Sequence, residues 1–160
     1  RNVTGVQTCA LPILFPEPKK LANAERSELA SCGLGYRVPF VKNASILVKD
    51  GIIDFDALKK SNYHAAKESL LQIFGIGNKV ADCILLFSLE KLESFPLDRW
   101  IIRSLQQYYP NKFSFEGKTI TEKKYQLLHE QIVQHFGPYA GYSQQFLFKM
   151  IRESNQKKWL

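Results

Sequence analysis

Two residues whose types and spacing could do chemistry organise this sequence. Lys79 follows directly on Gly75-Ile76-Gly77-Asn78, and Asp98 comes nineteen positions later in Phe95-Pro96-Leu97-Asp98-Arg99-Trp100. The two glycines allow a tight turn whose backbone angles are closed to other residues. A helix restarting after it exposes amide groups at the positive end of its dipole, a nest that suits a phosphate. Lys79 then falls in the first helical turn, where a cation is electrostatically disfavoured. Partial burial added to that dipole is expected to lower its pKa and raise the share of neutral amine. Such an amine can attack a sugar C1′ and form a Schiff base. Asp98 can cap the next helix, stay ionised on amide hydrogen bonds, and stabilise positive charge developing beside it. On the residues alone, Lys79 reads equally as a phosphate contact or a solvated lysine, and Asp98 as a cap and nothing more.

The elements that must position this pair read as helices almost throughout. Leu21, Ala24, Leu29 and Ala30 predict one short amphipathic helix stopped by Gly33. A second is expected near Val38 to Val48, ending at Asp50-Gly51. Asp54 can cap a short helix through Leu58, and Ser61 another from about Tyr63, carrying Leu70, Leu71 and Phe74 to a break at Gly75. The chain resumes as helix from about Asn78 to Phe87. Asp98 caps a stretch with Ile101, Ile102 and Leu105 at helical spacing. Thr121 caps another through Leu127, Leu128, Ile132 and Phe136, closed by Gly137-Pro138, and a last helix covers roughly Tyr139 to Arg152. Period-two alternation is scarce, so the expected class is all-α: a helical bundle in which two helices and their hairpin precede a Pro/Asp loop.

Composition narrows the class. The 160 residues are 45% hydrophobic and 23% charged, which suits one folded domain. No apolar run approaches the roughly 20 residues a membrane span needs, so no membrane partner is expected. The net charge of +7 favours a polyanionic partner, since phosphate contacts release counterions. Cys9, Cys32 and Cys83 form no C-x-x-C pair and no Cys/His cluster, so neither a disulfide nor a zinc site is expected, and a reducing compartment is. Residues 1–13 lack helical period and capping logic, and Val3 to Ile13 resembles a translated sequencing-adapter fragment. They are set aside as foreign to the domain expected over residues 14–160, with a genuine N-terminal arm as the competing reading.

The order apolar-apolar-x-apolar-apolar-Gly-Ile-Gly-x-Lys-x-Ala over residues 70–81 resembles the helix-hairpin-helix signature of DNA glycosylases. Within that superfamily, Gly75-Ile76-Gly77-Asn78-Lys79-Val80-Ala81-Asp82-Cys83 is most similar to the hairpin of 8-oxoguanine DNA glycosylases. The resemblance extends over roughly Phe15 to Arg152. It implies Lys79 as the amine nucleophile, Asp98 as its catalytic carboxylate, and Gly75, Gly77 and Val80 as the DNA-contacting hairpin. Cys83, one turn after Lys79, would line the base pocket with Pro96 of the loop, although a buried core thiol competes. Leu34-Gly35-Tyr36-Arg37 resembles the family's wedge, Tyr36 filling the vacated stack and Arg37 reading the unpaired cytosine. Gln144 and Phe148, one turn apart in Gly137-Pro138-Tyr139-Ala140-Gly141-Tyr142-Ser143-Gln144-Gln145-Phe146-Leu147-Phe148, would bond the base edge and stack on the base. A surface Gln beside a core Phe is the alternative. Backbone carbonyls of Leu71, Ile73 and Ile76 could hold a structural monovalent cation.

The implied activity is a base-excision glycosylase and abasic-site lyase acting as a monomer on oxidised purine in damaged double-stranded DNA. It would need no cofactor and would reside in the cytoplasm, or in the nucleus of a eukaryote. Three departures stand out. Trp100 occupies the place of a phosphate-contacting His in animal members, the family's β-containing N-terminal domain is missing, and the abrupt start suggests a truncated gene model. Other readings are a related glycosylase for a different lesion and a DNA-binding module without catalysis. The endonuclease III branch usually carries an iron–sulfur cluster on four cysteines, and no cysteine follows Cys83, so no such cluster is expected. Alkyl-purine glycosylases keep the Asp without the Lys.

Overall fold

The computed structural model describes residues 15–113, 115 and 120–156; the segment 1–13 read as foreign lies outside them. Nine α-helices and two 3-10 turns make up the described secondary structure, with no strand among the described residues. The all-α class read from the sequence therefore holds. None of these helices is long and apolar enough to cross a membrane. The chain divides into two compact units, Arg1–Asp54 and Phe55–Leu160.

In the first unit, α1 (Pro18–Asn23) and α2 (Arg26–Ser31) both pack on α3 (Val38–Lys49). The single helix expected over Leu21 to Ala30 is broken instead at Ala24 and Glu25, whose ψ angles are 142° and 151°. Glu28 reaches back to accept the Glu25 N–H at 2.7 Å, a cap that starts α2 afresh. The Lys42 ammonium donates to the Ala24 carbonyl freed by the break. Between α2 and α3 a 3-10 turn, Gly35–Arg37, holds Tyr36 and Arg37.

The second unit contains α4 (Phe55–Lys60), α5 (Tyr63–Leu71), α6 (Asn78–Ser88), α7 (Arg99–Tyr108), α8 (Glu122–Phe136) and α9 (Ala140–Gln156). A 3-10 turn, Gly137–Tyr139, leads into α9. Helix α5 is capped by Asn62, which accepts the Ala65 N–H at 2.9 Å, and not by Ser61. The Ser61 hydroxyl turns back to the Leu58 carbonyl at 2.9 Å, at the end of α4. Thr121 caps α8 as expected. The core joins Phe95 and Leu97 of the loop to Ile101 and Leu105 of α7, Tyr125, Leu128 and Ile132 of α8, and Ala140 and Leu147 of α9. Phe95, Ile101, Leu105 and Ile132 are fully buried. Each such side chain removes apolar surface worth about 1.5–3 kcal/mol. The loop between α6 and α7 is thus part of the core, and this rigidity suits a segment that must present a side chain accurately.

Candidate active site

Helix α5 stops at Leu71, four residues before the glycine expected to break it. The chain closes on itself through Ile73 N–H to Leu70 O (3.1 Å) and Ile76 N–H to Ile73 O (3.0 Å). Gly75 then takes φ 89°, where a side chain would be strained. Gly77 does not conform to expectation: its φ of −99° and ψ of 177° are open to any residue. Space within the protein does not require a glycine either, since a Cβ there would meet nothing within 4 Å. Gly77 is the N-cap of α6 and offers no side-chain acceptor to the helix end. The amides of Asn78, Lys79 and Val80 are therefore the orphan donors of an uncapped N-terminus. The Asn78 Oδ1 is buried without a hydrogen-bond partner.

Lys79 is exposed, so the partial burial expected of it is absent. It lies in the first turn of α6, at the positive end of the helix. Val80 is 41% exposed beside it. Cys83, one turn on, is half-buried with a free thiol, intermediate between a core residue and a pocket wall.

Asp98 is the N-cap of α7, extended at φ −113° and ψ 179°. Its Oδ1 accepts the Trp100 N–H at 2.9 Å and the Ile101 N–H at 2.8 Å. Among the described residues nothing donates to Oδ2, so the half-buried carboxylate is fixed by one oxygen and free at the other. Trp100, in the first turn of α7, is 42% exposed, with the Arg103 guanidinium over its ring at 5.5 Å.

The loop before Asp98 is clamped from α9. The Gly141 N–H donates to Leu92 O at 2.8 Å, and a Cβ on Gly141 would lie 2.9 Å from Ser94 O and 3.0 Å from Leu92 O. One turn further along α9, Gln144 is buried and its Nε2 donates to Pro96 O at 3.4 Å. Gln145 donates in turn to the Gln144 Oε1. The structure thus brings Gln144 onto the loop that ends in Asp98, and not to the surface. Phe148 is half-buried against the core on the same face. Leu71 is half-buried and Ile73 buried. Tyr36 and Arg37 belong to the first unit, where Tyr36 is 71% exposed and the Arg37 guanidinium lies 4.5 Å over its ring.

Sequence reading missed a buried polar cluster in the second unit. Asp82 on α6 is fully buried. Its Oδ1 accepts the Tyr63 hydroxyl at 2.8 Å, and its Oδ2 the Tyr125 hydroxyl at 2.6 Å and the Lys67 ammonium at 3.1 Å. The Ser94 hydroxyl is 3.1 Å from both Oδ1 and the Asp82 carbonyl. Burial lowers the Lys67 pKa against the opposing pull of Asp82. Burial first, and Asp82 second, raise those of Tyr63 and Tyr125, which stay neutral donors. His129 stacks on Tyr63 with ring centroids 4.6 Å apart, and burial lowers its pKa to about 4. Its Nε2 is 3.2 Å from Glu93 O; a carbonyl only accepts, so this nitrogen carries the proton of the neutral ring. The one signal of the cluster in the sequence is a carboxylate in the middle of the apolar stretch Val80 to Phe87.

Known proteins share this fold and part of this sequence. No family model matches the chain. A probable N-glycosylase/DNA lyase of Methanothermobacter thermautotrophicus is 34% identical over 128 residues, covering 80% of this chain and 38% of its own. The Arabidopsis thaliana N-glycosylase/DNA lyase OGG1 is 29% identical over 138 residues, covering 84% and 37%. The Clostridium acetobutylicum 8-oxoguanine glycosylase/lyase, solved with double-stranded DNA containing cytosine opposite 8-oxoguanine, superposes with a TM-score of 0.76 at 28% identity. That match covers 88% of this chain and 46% of the other. The chain spans well under half the length of the curated relatives it matches. Its fold is that of the helix-hairpin-helix DNA glycosylases. Within that class the similarity extends to an 8-oxoguanine glycosylase/lyase, the branch whose hairpin this one resembles.

Proposed function

We propose that the protein is a base-excision glycosylase and abasic-site lyase that removes oxidised purine, 8-oxoguanine in the first instance, from duplex DNA. The observation that carries this reading is the pair Lys79 and Asp98. An exposed amine sits at an uncapped helix start, and a carboxylate is pinned by one oxygen with the other free, in a fold shared with an 8-oxoguanine glycosylase/lyase. The Lys79 Nζ lone pair attacks C1′ as the N-glycosidic bond breaks and its electrons leave with the base. The free Asp98 oxygen faces positive charge on the sugar during that step. The amine then loses a proton and the sugar ring opens: the C1′–O4′ bond breaks, its electron pair goes to O4′, which takes up a proton, and Nζ and C1′ are left as a Schiff base. Loss of a C2′ proton drives β-elimination, which breaks the 3′ C–O bond and releases the 3′ phosphate. Amides at the start of α6 and the open space at Gly77 receive a phosphate. In the second unit, Cys83, Pro96, Gln144 and Phe148 are assigned to the flipped base; taken by itself, the first unit offers Tyr36 to fill and Arg37 to read the gap in the duplex.

The substrate partner is damaged double-stranded DNA, and the protein works as a monomer in the cytoplasm or, in a eukaryote, the nucleus. The chemistry needs no redox cofactor, iron–sulfur cluster or catalytic metal. Carbonyls of Leu71, Ile73 and Ile76 would hold a monovalent cation as a purely structural group. The Ile73 oxygen already accepts one hydrogen bond in the turn and retains a second lone pair for it.

Incubation of labelled 8-oxoguanine duplex with wild type and Lys79→Gln tests the reading. Strand cleavage abolished by the substitution, with duplex affinity nearly intact, supports it. Cleavage by neither protein, with both bound to duplex, would make the chain a non-catalytic DNA-binding module.

A further inference from the structure

The buried cluster ties together the two elements that carry the reacting groups. Asp82 lies three residues after Lys79 on α6, so one rigid helix fixes the lysine backbone relative to this carboxylate. From Asp82 two tethers reach the loop that ends in Asp98. The Tyr125 hydroxyl donates to Asp82 Oδ2 at 2.6 Å and accepts the Leu97 N–H at 3.1 Å, the amide one residue before Asp98. The Ser94 hydroxyl reaches Asp82 directly at 3.1 Å. On the other side Tyr63 and Lys67 of α5 hold the carboxylate from swinging away. A buried ion pair is commonly no more stabilising than apolar residues of the same volume. The charged group here acts in specifying one arrangement of α6 and the loop.

We propose that Asp82 is a positioning residue for the reaction: through Tyr125 and Ser94 it sets where the Asp98 backbone stands relative to the helix of Lys79. The inference rests on the reading of Lys79 and Asp98 as the reacting pair. Asp82 touches no substrate, since both its oxygens are engaged and it has no exposure. Its effect is transmitted by the Leu97–Asp98 peptide, and errors of about 1 Å at such a distance cost up to about 100-fold in rate.

The test is a cycle of substitutions read by single-turnover excision of 8-oxoguanine, with duplex affinity and thermal midpoint measured alongside. Tyr125→Phe removes the bridging hydroxyl and keeps the ring in the core. It is expected to slow excision about 10- to 100-fold with duplex affinity within about twofold. In an Asp98→Asn background the same change should alter the residual rate less than about twofold, because its route to the reaction runs through that carboxylate. Ser94→Ala severs the second tether with little change of volume, gives the same non-additive pattern, and carries the test where Tyr125→Phe is recovered unfolded. Slowing that multiplies in the two backgrounds, or that only follows the folded fraction, would overturn the positioning role and leave the proposed function standing. Wild-type protein that neither excises the base nor forms an adduct overturns both.

Discussion

Two aspartates sixteen residues apart in the second unit put the same chemical group to opposite uses. Asp82 has no exposure and both its oxygens are occupied, by two tyrosines, a lysine and a serine from three separate stretches of chain. Asp98 is half-buried, spends one oxygen on the two amides of its own helix, and keeps the other. A carboxylate saturated by the fold cannot take part in a reaction, whereas one fixed at a single oxygen is both oriented and available. The same contrast separates the deep cluster from the hairpin edge. Lys67 is buried and paired; Lys79 is exposed and sits at a helix start with no side-chain cap among the described residues. Function is expected where the structure leaves polar groups unspent.

The contrast should break most visibly at Asp82. Asp82→Ala strands the Lys67 ammonium in the interior and is expected to lower stability by about 3–5 kcal/mol in urea unfolding. Asp98→Ala removes only a cap and should cost about 1 kcal/mol. Equal losses at the two sites would contradict the distinction. Acid should also find the buried cluster first. His129 has a folded pKa of about 4 against 6.5 for the ordinary group, so the unfolded chain takes up its proton before the folded one does. The contribution is therefore intact above pH 6.5 and is lost as the pH falls toward 4, to a ceiling of about 3 kcal/mol. His129→Phe, which keeps a ring against Tyr63, should flatten that part of the stability curve.

Smaller effects probe the clamp and the open edge. Gly141→Ala forces a methyl onto the Leu92 and Ser94 carbonyls and should destabilise by about 1–2 kcal/mol, despite the better helix propensity of Ala. Chemical denaturation reads the loss, and excision should slow with it because the loop carries Asp98. Gly77→Ala meets no atom and needs no special backbone angle, so it should cost only about 0.5 kcal/mol as a poorer cap. Its effect should appear instead as weaker duplex binding in titration, and unchanged affinity would remove the phosphate from the hairpin.

What was legible in the sequence was local. The caps at Asp98 and Thr121 each use a side chain and amides within three residues, and the hairpin is a contiguous motif. Ser61 and Asn62 are both good caps, and which one serves depended on the Ser61 hydroxyl being drawn to Leu58 O. The break at Ala24 carries no Gly or Pro to announce it, only the Glu25 and Glu28 spacing that closes the new cap. Of the two hairpin glycines, the sequence could not separate Gly75, required by its φ of 89°, from Gly77, required by no angle. The Asp82 cluster was the least legible, since its partners lie between Tyr63 and Tyr125 and meet only after the helices have packed. The burial of Gln144 likewise came from Pro96, 48 positions away.

Borohydride trapping on two labelled duplexes, one with 8-oxoguanine opposite cytosine and one with an abasic site, tests the central claim most directly. The account predicts a covalent protein–DNA adduct on both, lost in Lys79→Gln. Absence of an adduct on either duplex, from folded protein that binds DNA, would contradict it.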